Sequence, residues 1–93
     1  MIVGVLQAEL YLPGCSSLKE KRMIVKSLKD RISRKFNVSV AEIDYLDKWQ
    51  RSLIAFASVS NSRSHTDEVL QKIFQLVDKE ISFELINHQF DYK

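Results

Sequence analysis

The chain has little of what stiffens or specialises a fold. Its 93 residues include one Cys, one Pro, two Gly, one Trp and two His. A lone Cys15 excludes an internal disulfide and any cysteine-based zinc cluster. One proline, two glycines and no low-complexity run or repeat leave no linker, so residues 1–93 are expected to form one domain. No apolar run approaches the roughly 20 residues of a membrane span. The opening MIVGVLQAEL has no basic stretch ahead of an apolar core, so neither a signal peptide nor a membrane partner is expected, and the expected location is the cytoplasm. His65 and His88 lie far apart with no ligand spacing, and no metal site is expected. Glycine-rich phosphate loops, paired catalytic carboxylates and serine triads are also missing, so neither an enzyme nor a cofactor is expected.

The charge that is present is unevenly placed. Residues 18–36, LKEKRMIVKSLKDRISRKF, hold eight cations against Glu20 and Asp30, a net +6 in nineteen residues. The other 74 residues carry six cations against ten acids, a net −4. Segregation of this kind points to an anionic partner.

Residues 2–12, IVGVLQAELYL, alternate, with Ile2, Gly4, Leu6, Ala8, Leu10 and Leu12 on one face. That period of two predicts a strand, ended by Pro13-Gly14. Ser17 followed by Glu20 has capping-box spacing and predicts a helix from Leu18. On it Leu18, Ile24, Val25, Leu28, Ile32 and Phe36 form an apolar stripe, with Lys19, Arg22, Lys26, Lys29 and Arg34 opposite. Lys21 falls inside the stripe, from which its stem is expected to snorkel outward. VSVAEID (38–44) and RSLIAFASVS (51–60) read as strands around a polar turn, YLDKWQ. In the third strand Leu53, Ala55, Ala57 and Val59 are expected beneath a helix, with Ile54 and Phe56 on the opposite face. Ser64 is the expected cap of a second helix reaching about residue 80, with Asp67 and Glu68 in its first turn, and SFELINHQFDY reads as a last strand with either face inward. Strand, helix, strand, strand, helix, strand, with one apolar stripe per helix and right-handed crossovers, predicts a ferredoxin-like α+β sandwich. Its four-stranded antiparallel sheet would carry both helices on one face, with the first and third strands central.

SLKEKR, the run through FNVSVAEID, the segment with Asp47, Trp49, Gln50 and Arg51, and SVSN at the end of the third strand resemble the YlxP-like family of bacterial proteins of unknown function. Tyr45-Leu46 and Lys48 depart from its pattern within the turn. The resemblance implies a ferredoxin-like fold, a cytoplasmic bacterial protein and genes encoded near translation and ribosome-maturation factors. It supplies no catalytic residues.

Three candidate surfaces follow. Lys19, Lys21, Arg22, Lys26, Lys29 and Arg34 form a candidate nucleic-acid or anion site. Cations cost a few tenths of a kcal/mol each, up to about 1, at the positive end of a helix dipole, and a bound phosphate would reverse that sign. The partner would be RNA or a ribosomal particle; the plainer reading is a solvated helix face. Val3, Val5, Tyr11, Ile54 and Phe56 are expected to line an uncovered sheet face. That face would form a homo-oligomer, a dimer in the first instance, or act as a protein-interaction or small-ligand regulatory surface. Trp49 and Arg51 are a candidate hairpin contact, against the plainer reading that the indole packs on the hairpin's own base. The aromatic-rich RNP octamer of base-stacking RRM domains is absent. Loop PGCSS has no arginine and Asn61 lies beyond the strand, so the acyl-phosphate hydrolysis known on this topology is not expected. Cys15, next to the basic turn, has no evident base partner.

Overall fold

Alternation in the first eleven residues becomes β1 (Ile2–Tyr11), whose inward side chains Leu6, Ala8 and Leu10 are buried, as is Leu12 just beyond it. A computed structural model describes residues 1–93. After β1 come α1 (Leu18–Lys35), β2 (Ser39–Asp44), β3 (Arg51–Ser60), α2 (Arg63–Asp78) and β4 (Glu84–Tyr92). The sheet is antiparallel with order β2-β3-β1-β4, both helices lie on one side, and the fold is the ferredoxin-like sandwich. Both central strands are those with the longest apolar runs, since only they have two neighbours to satisfy their backbone groups.

Leu6 lies opposite Phe56 and Ala8 opposite Ile54, so β3 turns Ser52, Ile54, Phe56 and Ser58 toward the helices. This reverses the expected faces of β3. Ile54 and Phe56 are core residues at 0% exposure, and Leu53, Ala55, Ala57 and Val59 lie on the uncovered side. Two serines beside Ile54 and Phe56 make the true core face read as the more polar one. Ser52 can be buried because its hydroxyl donates to Glu42 Oε2 at 2.7 Å.

The core is closed by Val25, Leu28 and Ile32 from α1, by Leu70, Ile73 and Val77 from α2, and by Phe83. Burial of each such side chain contributes about 1.5–3 kcal/mol relative to exposure. α2 crosses β1 so closely that a Cβ on Gly4 would sit 2.4 Å from Thr66 Cγ2 and 2.9 Å from Leu70 Cδ1. Glycine is required there by space. α2 begins one residue before Ser64: Ser62 is the cap, its Oγ accepting from His65 N at 3.3 Å, so Asp67 and Glu68 fall in the second turn. Ser60 Oγ, 2.7 Å from Thr66 Oγ1, ties the end of β3 to that turn.

β4 packs Leu85, Phe90 and Tyr92 against the core, with exposed His88 on the same side, the phase changing at a bulge. Glu9 pairs with Asn87 and Leu10 with Leu85, leaving Ile86 as the extra residue. His88 packs on Phe74 with ring centroids 4.6 Å apart. The Tyr92 phenol is pushed up to about 12 by burial and by its 2.5 Å hydrogen bond to Asp67. No helix is long and apolar enough to cross a membrane.

Candidate nucleic-acid interface

Residues 15–22, CSSLKEKR, start α1 in the manner their spacing dictates. Ser17 Oγ accepts from Glu20 N at 3.1 Å. The Glu20 carboxylate reaches back to Ser16, accepting from its N–H at 3.2 Å and from its hydroxyl at 3.0 Å. This capping box thereby closes one residue earlier than the usual reciprocal pair. Cys15 is buried beside it, its thiol donating to Ser17 O at 3.3 Å.

The three early cations have different fates. Lys21 is 1% exposed and turns inward, in place of the expected outward path. Its ammonium lies 2.8 Å from Glu42 Oε2 and donates to the Tyr45 carbonyl at 2.5 Å. Glu42 occupies an inward position of β2, opposite Ile54, and its other partner is Ser52. A lysine can sit in an apolar stripe only with such neutralisation, because an unpaired buried charge costs several kcal/mol. Lys21 is therefore removed from the anion site. Its place within the stripe, together with a glutamate at an inward strand position, is the signal in the sequence for an internal pair.

Lys19 and Arg22 remain outside. Lys26 pairs with Asp30 at 2.8 Å, and Arg31 pairs with Glu80 beyond α2. Lys19, Arg22, Lys29, Arg34 and Lys35 form no ion pair, so five of the eight cations of residues 18–36 have no carboxylate of their own. Asp30 is held below the ordinary carboxylate range by the hydrogen bond from Lys26 and then by the positive field of Lys26, Arg34 and Lys29. Lys19, Arg22 and Lys26 share a helical face with half-buried Lys29 at its margin. From Lys19 to Lys29 this ridge runs roughly 15 Å at helical rise.

The β2–β3 turn lies beside the start of α1. Leu12 N donates to Gln50 O at 2.9 Å, and Gln50 Nε2 donates to the carbonyls of Pro13 and Cys15, both at 3.3 Å. Tyr45 takes a left-handed conformation (φ 63°), its N–H held by Asp44 Oδ1 at 2.7 Å. Arg51 pairs with Glu9 and stacks over the Tyr45 ring, 4.3 Å from its centroid. Half-buried Tyr45 and Glu9 hold Arg51 in a fixed pose, while Trp49 is 52% exposed. Trp49, Tyr11, Ile86, Asp47, Lys48, Gln50 and Arg51 surround a recess of about 590 Å³.

The uncovered sheet face carries Val3, Val5 and Tyr11 of β1, with Leu53, Ala55, Ala57 and Val59 of β3, interrupted by Gln7 and Glu9 and by Asn87, Gln89 and Asp91 of β4. Of the five residues expected there, Val3, Val5 and Tyr11 are on it, and Ile54 and Phe56 are not.

The family described as protein of unknown function (DUF503) matches residues 3–90. The chain belongs to that family. It is 40% identical over 77 residues to the uncharacterized protein YlxP of Bacillus subtilis (strain 168), covering 83% of this chain and 84% of that one. Membership of this DUF503 family agrees with the YlxP-like resemblance carried by SLKEKR and the Trp49 segment. Its description assigns no activity, so function is argued from the surfaces themselves.

Proposed function

We propose that this DUF503 protein is a non-catalytic binding protein for RNA, free or within a ribosomal particle, held by phosphate contacts along α1. The observation that carries this reading is the set of five α1-region cations without a carboxylate partner in a chain whose remainder is net negative. Lys19 and Arg22 stand where the helix dipole already repels them, and a phosphate there turns that repulsion into attraction. Contacts of this type position RNA without reading its sequence. Binding is expected at low salt and to weaken steeply as salt rises. Replacing Lys19, Arg22, Lys26 and Lys29 with Gln should flatten the plot of log affinity against log salt by about 0.7–0.9 for each phosphate no longer neutralised. A slope that does not move, or no binding at low salt, overturns the proposal.

A second reading is favoured by the uncovered face, which offers a second copy of the chain Val3, Val5, Leu53, Ala55, Ala57 and Val59 beside the polar Gln7, Gln89 and Asp91. Four strands of up to ten residues span about 600 Å². That is the lower end of what each partner contributes to a stable dimer. Ala55 and Ala57 at its centre keep it flat enough for two sheets to approach.

A further inference from the structure

We propose that the recess beside Trp49 takes an unpaired base of the same RNA strand whose phosphates lie along α1. The inference rests on the RNA reading above and adds to it a single-strand requirement and a stacking residue.

Three large side chains meet at the recess without serving the core. Trp49 is 52% exposed, Ile86 49% and Tyr11 37%. Ile86 is there because the β4 bulge makes it the extra residue between Leu85 and Asn87. A volume of about 590 Å³ accommodates a flat ring system with room to spare. The charges around it cancel: Lys48 faces the recess together with Asp47, and Arg51 is already bound to Glu9. A phosphate gains little from such a lining, whereas a neutral aromatic ring gains a stacking surface.

Placement supplies the second half. Gln50 binds the backbone of Pro13 and Cys15, and the Tyr45 carbonyl binds Lys21, so the hairpin is roped to the first turn of α1. Lys19, Arg22 and the recess thus lie at the same end of a molecule 42 Å long. The recess opens on the uncovered side of the sheet and the ridge on the helix side, so a strand leaving Lys19 reaches Trp49 by passing around this end of the molecule, over the loop between β1 and α1. The hairpin is also pre-ordered, since Arg51 is clamped between Glu9 and the Tyr45 ring, and little ordering remains for the ligand to impose.

Trp49 is the only tryptophan, so intrinsic tryptophan fluorescence reports on this site alone. The experiment titrates the full chain with a single-stranded oligouridylate of about 12 nucleotides and with a blunt RNA duplex of equal length. The single strand is expected to quench Trp49 emission and the duplex to leave it unchanged. Trp49→Ala should weaken single-strand affinity about 5- to 150-fold, the range of one base–aromatic stack, with the salt slope intact; Trp49→Phe should retain most of it. Circular dichroism of both variants checks the fold. If RNA binds with an α1-dependent salt slope while Trp49 emission and Trp49→Ala affinity are unchanged, the base recess is wrong and the phosphate ridge stands. A weaker Trp49→Ala affinity accompanied by a flattened slope also overturns the recess, because the side chain was then supporting phosphate binding. Absence of any RNA binding at low salt removes both.

Discussion

Phe56→Glu is expected to leave no folded protein, and Ala57→Glu, one residue along the same strand, to leave a folded monomer. Phe56 is fully buried in the core beneath the helices. Truncation to Ala alone costs about 3–5 kcal/mol, which lowers the melting temperature of a domain this size by about 12–40 °C. A glutamate adds an unpaired charge in the core, and the total stability available is only about 5–15 kcal/mol. Ala57 lies on the uncovered face opposite Val5, where a carboxylate stays hydrated. If two copies meet through that face, Ala57→Glu places like charges across the contact and the dimer separates, which light scattering reads directly. A wild-type chain already monomeric at high concentration removes the dimer reading. A folded Phe56→Glu protein would mean that β3 is turned the other way.

The second large effect is expected at Lys21. Lys21→Ala leaves Glu42 inside the fold with only Ser52 as a partner and strips the Tyr45 carbonyl of its donor. Loss of one member of a buried pair costs about 3–5 kcal/mol. Replacing both charges, as Lys21→Met with Glu42→Leu, is expected to restore most of that stability, since the desolvation of two ions disappears with their attraction. Denaturant midpoints of the two singles and the double give the coupling; equal losses adding without recovery would show that the pair does not act as a unit. By comparison Lys26–Asp30 is exposed, and its removal should shift the midpoint little. Because Lys21 holds the Tyr45 carbonyl, the single variant should also loosen the hairpin that carries Trp49, making stability and the proposed RNA contact move together.

Lys21 also shows why part of the site is legible in the sequence and part is not. Its position in the stripe of Val25, Leu28 and Ile32 can be read from helical period alone. Its partner cannot, because Glu42 lies in another element and becomes a neighbour only when α1 is laid over β2. Trp49 is a similar case. Its hairpin is recognisable as a turn, but its place beside Tyr11 and Ile86 depends on the pairing of β1 with β3 and on the β4 bulge, neither of which leaves a periodic trace. The face of β3 is misread for a different reason. Its two sets of alternate residues are both apolar enough to be buried, and only the register with β1, Leu6 against Phe56, breaks the tie.

From its residues alone the chain determined the order of its elements, the capped start of α1, the inward face of β1 and the crowding of cations on one helix. These are local quantities: alternation, helical period, hydrogen-bonding side chains at a cap and charge per segment act over a few residues. Tertiary structure alone decided which side of β3 is core, which three of the eight α1-region cations are neutralised, and that Trp49, Tyr11 and Ile86 share a recess. Each of those depends on contacts between elements distant in sequence, where a shift of one residue in register exchanges inside for outside.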